Sequence, residues 1–181
     1  MNFTENQHFK ELPIFILVGI LQVIFLWGFF QQIILKLPWG IKPGSDLSLI
    51  LINLGTILII LFLATWNLKT AINEHSIKFK FAPLQINMRT VYWEQVQKVR
   101  IGQYDGIKEY WGYGLRYMPG KGWCYTMPGK YAIQLILKNG RSILIGTHKP
   151  KEVSLILSDL KNKGIIESFE ENKILMLTRS V

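Results

Sequence analysis

Cysteine is almost absent from this 181-residue sequence, in which Cys124 is the single example. One thiol cannot form a disulfide within the chain, and it cannot complete a four-ligand zinc site by itself. The three histidines, His8, His75 and His148, are scattered and show no H-x-x-x-H spacing. The sequence therefore offers neither a disulfide scaffold nor a metal centre, and we expect no cofactor. Cys124 lies between two aromatic residues and is interpreted as a packed thiol.

Charge is missing from two long stretches, residues 12–35 and 47–68, which contain 24 and 22 consecutive uncharged positions. At about 1.5 Å per residue, each stretch can cross a hydrocarbon core of about 30 Å as a helix. A cleaved signal peptide fits less well, because its apolar core is about 7–15 residues long and a site of small residues follows it. A pair of soluble core helices would show a polar stripe, and neither stretch has one. The sequence predicts two transmembrane helices.

The segment between the two stretches, residues 36–46, is rich in proline and glycine, which stop helices and make turns. The two helices are therefore predicted to form an antiparallel hairpin. Gln22 and Asn53 are predicted to hydrogen-bond to each other across it, since neither stretch contains an ionisable residue that would mark an ion path. Four lysines, at positions 10, 69, 78 and 80, lie on the side of the two helices that carries the chain termini. The connector side has two, at positions 36 and 42. This bias predicts that both termini are cytoplasmic.

The rest of the chain shows the period-two alternation of half-buried antiparallel strands. Alternating apolar and polar residues occur at 77–81, 98–101, 131–137 and 142–145, and Asn139-Gly140 predicts a tight hairpin turn. Helical spacing occurs once, at Val153, Ile156, Leu157 and Leu160. Strands followed by one amphipathic helix predict an α+β fold in which a curled antiparallel barrel is capped by a C-terminal helix. The predicted organisation is an N-terminal segment 1–11, helices 12–35 and 47–68 joined by 36–46, a domain 69–164 and a tail 165–181, the tail being a short helix or a peripheral strand.

Five segments together carry a resemblance to a family: NEHSIKFKF, RTVYWEQVQKV, YWGYGLRY, GWCY and LILKNGRSILIGTHKPKEV. With the two preceding spans, they resemble small bacterial membrane proteins that carry a pleckstrin-homology-like (PH-like) domain. The resemblance covers roughly residues 12–163. It implies a PH-like barrel on a two-helix anchor in the inner membrane, and it brings no catalytic residues with it.

A glycine-rich segment around residues 112–122 resembles a phosphate-binding loop only superficially, because the helix that must follow such a loop is missing from the pattern. We interpret it as a hairpin or inter-strand loop. Aromatic residues and arginine, which are frequent in binding hot spots, crowd this region. Core packing or contact with headgroups would explain the same residues equally well. The candidate partner-binding loop consists of Tyr110, Trp111, Tyr113, Arg116, Tyr117 and Trp123.

Basic residues are in excess, with 21 Lys and Arg against 12 Asp and Glu. Five of them lie on polar positions of the predicted strands and are candidates for a lipid-facing surface: Lys78, Lys80, Arg89, Lys98 and Arg100. Near an anionic leaflet, each cation contributes at most about 1 kcal/mol of attraction. A merely solvated basic surface is the alternative. Nucleic acid also attracts basic and aromatic residues, but membrane attachment makes it the weaker prediction.

These patterns favour a membrane-anchored, non-enzymatic binding or scaffolding module that contacts a protein partner or anionic headgroups at the cytoplasmic leaflet. The alternative is an accessory subunit of a larger membrane complex, assembled through the hairpin. An enzyme is disfavoured because no set of residues in the sequence forms a catalytic constellation.

Overall fold

The computed structural model describes residues 2–10, 12–109, 111–120 and 122–175. The chain divides into two compact units. One unit is the continuous segment Lys10–Thr65, and the other combines Met1–Phe9 with Trp66–Val181. We call the first unit the helical hairpin and the second the β domain.

The helical hairpin contains α1 (Leu12–Phe29), which continues into a π-helical turn at Phe30–Ile34, and α2 (Asp46–Ala64). The segments Pro13–Ile34 and Asp46–Ala64 have mean hydropathies of 2.3 and 2.7, so length and composition allow each to cross a membrane. Helix α2 starts at an N-cap, where the backbone N–H of Ser48 donates to Ser45 Oγ at 3.2 Å. The helix ends before the uncharged stretch does, because Asn67 and Leu68 belong to a strand.

Polar side chains join the two helices, as the sequence predicts. Gln22 Nε2 donates to Asn53 Oδ1 at 2.9 Å, and Asn53 Nδ2 donates to the carbonyls of Leu49 at 2.9 Å and Phe25 at 3.1 Å. The hydroxyl of Thr56 donates to Gln22 Oε1. These amides therefore find their partners inside the hairpin.

The β domain begins with a four-stranded antiparallel sheet in the order β1-β2-β3-β4. Its strands are β1 (Phe3–His8), β2 (Asn67–Ile72), β3 (Ser76–Ala82) and β4 (Arg89–Tyr92). The whole helical hairpin is therefore inserted in the connection between two neighbouring, paired strands.

A second sheet of six strands has the order β10-β5-β8-β9-β7-β6. Its strands are β5 (Val96–Gln103), β6 (Gly114–Met118), β7 (Gly122–Thr126), β8 (Tyr131–Leu137), β9 (Ser142–Thr147) and β10 (Phe169–Ile174). The predicted turn at Asn139-Gly140 joins β8 to β9, with Gly140 at φ 78°. Helix α3 (Pro150–Asn162) buries Val153, Leu157 and Leu160, three of the four residues that predict it.

The α+β class is confirmed, whereas the predicted curled antiparallel barrel appears among the described residues as antiparallel and mixed sheets without closure. In the described part of the chain, the strands form two separate sheets. A helical turn at Trp93–Gln95 interrupts the chain between β4 and β5. The second sheet is mixed, because β7 pairs with β9 and β10 pairs with β5 in parallel.

Both chain ends contribute strands that lie outside the predicted domain limits of 69–164. The N-terminal segment supplies β1, in which Phe3, Glu5 and Gln7 are buried while the alternate residues are exposed. The tail supplies β10 as a peripheral strand, and residues 176–181 lie outside the described residues. Between the sheets, Phe79 packs edge-on against Tyr125 at a ring distance of 4.6 Å, and both are fully buried.

Candidate functional site

The chain leaves and re-enters the β domain at a single point. His8 at the end of β1 pairs with Asn67 at the start of β2, and the backbone N–H of Phe9 donates to the Trp66 carbonyl at 3.1 Å. The Trp66 ring lies edge-on to Phe9 and to Phe81, at ring distances of 5.6 and 5.5 Å. We call this end of the β domain, where β1 ends and β2 begins, the junction end.

Strand directions place two loops at the junction end. Strand β3 finishes there, because Ala82 pairs with Asn67, so the β3–β4 loop of residues 83–88 begins beside the junction. Strand β6 starts there, because a methyl group at Gly114 would lie 3.5 Å from the Trp66 ring. The β5–β6 loop of residues 104–113 therefore ends at the same place.

Lysines occupy the outward face of the four-stranded sheet. Lys69 and Lys80 lie directly opposite each other in neighbouring strands, and Lys78 lies two residues from Lys80 on the same face. We call these three residues the lysine face. The other described residues on this face of the four strands carry no carboxylate: Thr4, Asn6, His8, Asn67, Ala71, Ser76, Ala82, Thr90 and Tyr92.

Three of the five predicted basic residues lie elsewhere. Arg89 pairs with Phe79 across the strands and therefore points toward the interior, where its Nη1 donates to the Tyr125 hydroxyl at 3.0 Å. Lys98 and Arg100 lie on β5 in the second sheet. Of the predicted set, Lys78 and Lys80 lie together on the outward face of the four-stranded sheet, and strand register adds Lys69 to them.

Lys98 and Arg100 are partly neutralised by the tail. Both pair with the Glu170 carboxylate, which Arg100 Nε approaches to 3.3 Å. The hydrogen bond from Lys98 is the main cause that lowers the pKa of Glu170, and charge attraction from both cations adds to it. A signal for this pairing was present in the acidic residues of the tail, but a parallel strand partner could not be located from the sequence.

The candidate aromatic loop is divided between two ends of the β6–β7 hairpin. Trp111, 84% exposed, lies in the loop at the junction end, where Arg116 Nη1 donates to its carbonyl at 2.7 Å and Nη2 donates to the Tyr113 carbonyl. Arg116 therefore braces the loop. Tyr117 and Trp123 pair directly across β6 and β7 near the far turn, with ring centres 5.4 Å apart. Tyr110 lies outside the described residues.

A shallow cleft opens beside this loop, with a cavity volume of about 450 Å³. Its lining includes Tyr104, Asp105, Glu109, Tyr113 and Lys130. The Tyr104 hydroxyl donates to the Met127 carbonyl at 3.1 Å, and burial raises its pKa well above the ordinary tyrosine value. Over the described ranges, His, Cys, Asp and Glu side chains form no group of three that could hold a metal ion.

The β3–β4 loop is the feature that sequence analysis missed. Leu84, Ile86 and Met88 are 52%, 86% and 43% exposed, respectively. The loop is closed by Gln85, whose N–H donates to the Phe81 carbonyl at 2.8 Å and whose Oε1 accepts from the Phe81 N–H at 2.9 Å. A signal was available in the uncharged run 81–88 between Lys80 and Arg89.

Comparison of the chain with known protein families finds no match, and comparison with curated proteins finds no significant match.

Proposed function

We propose that this chain is a membrane-anchored, non-enzymatic binding module, in which the helical hairpin holds a PH-like β domain at the cytoplasmic surface of a bacterial inner membrane. One observation carries the proposal: the hairpin is inserted between β1 and β2, which pair with each other up to the point of insertion. Only Thr65 and Trp66 separate α2 from β2. A hairpin that crosses the bilayer therefore delivers the sheet to the membrane surface without a flexible linker.

The order of the strands supports the PH-like assignment. A four-stranded meander is followed by three strands that pair antiparallel in the order β5-β8-β9, and α3 comes next. The β6–β7 hairpin and β10 extend this second sheet at its two edges. The remaining strands and the helix retain the succession that the family resemblance implies.

The pairing of β1 with β2 also supports the proposed orientation. Because these strands are neighbours, both ends of the hairpin must lie on the same side of a membrane. Lys10, Lys69, Lys78 and Lys80 all belong to that side, whereas the connector has Lys36 and Lys42. Basic residues accumulate on the cytoplasmic side of membrane proteins, and this excess supports a cytoplasmic β domain.

The lysine face supports anionic lipid headgroups as the ligand. Like charges directly opposite each other in a sheet are destabilising, and Lys69 and Lys80 are placed in this way, with no carboxylate among the described strand residues of their face. An anion between them relieves the repulsion. The two lysines are also only two residues from the junction end, within reach of headgroups, and each contributes about 1 kcal/mol of attraction to an anionic leaflet.

The proposal is tested by measuring which lipids remain bound to the full-length protein. The chain is reconstituted in vesicles of mixed neutral and anionic lipid, extracted in polymer-bounded discs, and the anionic fraction of the co-isolated lipid is measured. We expect enrichment for the wild type, which salt weakens. The Lys69→Gln/Lys80→Gln variant should lose the enrichment, whereas Lys151→Gln/Lys161→Gln, which removes two exposed lysines from α3, should keep it. Equal lipid composition in all three samples contradicts the proposed ligand.

A further inference from the structure

The β3–β4 loop exposes three large aliphatic side chains on a short, well-braced segment. Leu84, Ile86 and Met88 alternate along it, and Ile86 is 86% exposed. The two hydrogen bonds between Gln85 and Phe81 fix the backbone at the base of the loop, so the exposed side chains project from a defined turn. Residues 81–88 contain no charge, whereas Lys80 and Arg89 flank them. We call residues 83–88 the apolar loop.

The position of the apolar loop indicates what covers it. Ala82, the last residue before the loop, pairs with Asn67, the first residue of β2. Neighbouring strands are about 4.8 Å apart, so the loop starts one strand spacing from the point where the chain arrives from α2. Because two residues separate α2 from β2, a membrane-spanning α2 brings the base of the loop to the bilayer surface.

The β5–β6 loop adds aromatic and aliphatic surface at the same end. Trp111 is 84% exposed and Ile107 is also largely exposed. Their loop is closed by backbone bonds from Trp111 N to the Ile107 carbonyl at 3.0 Å and from Gly112 N to the Gly106 carbonyl at 2.7 Å. Tryptophan prefers the interfacial layer of a bilayer, where its ring is partly buried and its N–H remains hydrated. The junction end therefore combines aliphatic, aromatic and basic residues.

We infer that the apolar loop is a second membrane contact of this protein, in which Leu84, Ile86 and Met88 enter the interfacial layer of the leaflet that the hairpin crosses. Trp111 lies in the same layer, and the Lys80 ammonium meets the headgroups. This inference rests on the proposed membrane anchorage and adds to it. A hairpin alone leaves the β domain free to tilt, whereas a hairpin and a loop together fix which side of the domain faces the lipid.

The full-length protein in lipid vesicles provides the test. An environment-sensitive fluorophore is attached at Ile86→Cys, and quenching is compared for nitroxide lipids labelled near the glycerol, nitroxide lipids labelled near the bilayer centre, and aqueous iodide. Cys124 is fully buried, and the unsubstituted protein measures its background labelling. Two labelled controls accompany it: Asn139→Cys, in the β8–β9 turn at the opposite end of the strands, and Val23→Cys, exposed on α1.

If the loop enters the interfacial layer, we expect blue-shifted emission at position 86 and stronger quenching by the nitroxide near the glycerol than by iodide. At position 139 we expect emission without a blue shift and stronger quenching by iodide. If position 86 is as accessible to iodide as position 139 while position 23 is quenched by lipid, the loop contact is refuted and the anchorage stands. Protection of position 86 from both iodide and lipid also refutes it, because another protein then covers the loop. Absence of lipid quenching at position 23 refutes the anchorage itself. If Ile86→Cys does not fold, Met88→Cys replaces it in the same comparison.

Discussion

The backbone N–H of Phe9 donates to the carbonyl of Trp66 at 3.1 Å, which closes the β domain across the base of the inserted hairpin. Strands β1 and β2 therefore stay paired up to the residues at which the hairpin is inserted. This arrangement also explains why the first residues of the chain belong to the domain, although 56 residues of helical hairpin, Lys10–Thr65, follow them.

Replacement of Glu5 by alanine should destabilise the β domain. Glu5 is buried on β1, and its carboxylate accepts from Thr147 Oγ1 at 2.7 Å and from the His148 N–H at 2.8 Å. Glu5→Ala leaves both donors without this acceptor, a loss of about 1–3 kcal/mol in the free energy of unfolding. Chemical denaturation in detergent micelles measures it. Thr4→Ala, at the exposed neighbouring position, is the control, and an equal effect of both substitutions contradicts the assigned role.

Strand β1 shows where sequence reasoning fails in this fold. Sequence predicts strands best where apolar residues alternate, as they do at 77–81 and 131–137. In β1 the inward positions are Phe3, Glu5 and Gln7, and only the first is apolar. The polar pair is buried because it bonds to the end of β9, a contact between residues far apart in sequence. No local pattern records such a contact.

The polar network of the hairpin should show strong coupling between Gln22 and Asn53. Asn53→Leu leaves the Gln22 amide without its acceptor, and we expect a loss of about 0.6 kcal/mol, up to about 2 kcal/mol, in hairpin stability. Adding Gln22→Leu to Asn53→Leu should recover part of this loss, because replacing both partners by apolar groups removes the unsatisfied amide. Unfolding free energies of the two single variants and the double variant in bicelles give the coupling. Purely additive effects contradict the bond across the helices.

The candidate site was only partly accessible from the sequence, for a similar reason. Polar alternation identified Lys78 and Lys80, which share the lysine face. The same alternation also selected Arg89, but the register of β4 against β3 turns it inward toward Tyr125. A shift of one residue in pairing moves a side chain to the opposite face, so basic strand residues cannot be assigned to a common surface before the register is known.

The ion pairs of Glu170 should make the thermal stability of the protein depend on pH in the acidic range. Its pKa is lowered in the folded protein, mainly by the hydrogen bond from Lys98. The stabilisation that these ion pairs give to the folded protein is therefore fully present above the ordinary glutamate pKa of 4.5. It is lost as the pH falls through the lower pKa that Glu170 has in the folded state. Glu170→Gln should lower Tm at neutral pH, and its difference from the wild type should shrink in acid. Thermal unfolding across this pH range measures the effect, with exposed Glu94→Gln as the control. A difference in Tm that does not change with pH contradicts the role of the charge.

Two glycines near the turn of the β6–β7 hairpin allow the cost of backbone strain to be measured separately from the cost of a steric clash. Gly120 and Gly122 have similar positive φ angles, 75° and 82°. A Cβ at position 120 meets open space, whereas one at position 122 would clash with the Ser142 carbonyl oxygen. Gly120→Ala should therefore cost only the strain of a left-handed residue, about 1–2 kcal/mol in the free energy of unfolding.

Gly122→Ala should cost clearly more than Gly120→Ala, because relief of the clash requires β7 to move away from β9. These strands form a parallel pair that joins the β6–β7 hairpin to the rest of the second sheet. Unfolding free energies give the difference between the two variants, and hydrogen exchange at the amides of residues 123–125 shows whether the pairing has loosened. Equal losses of stability, with unchanged exchange, contradict the close approach of β7 to Ser142. If Gly122→Ala loses more stability than Gly120→Ala and exchanges these amides faster, glycine is required at position 122 for the pairing of β7 with β9 rather than for the turn.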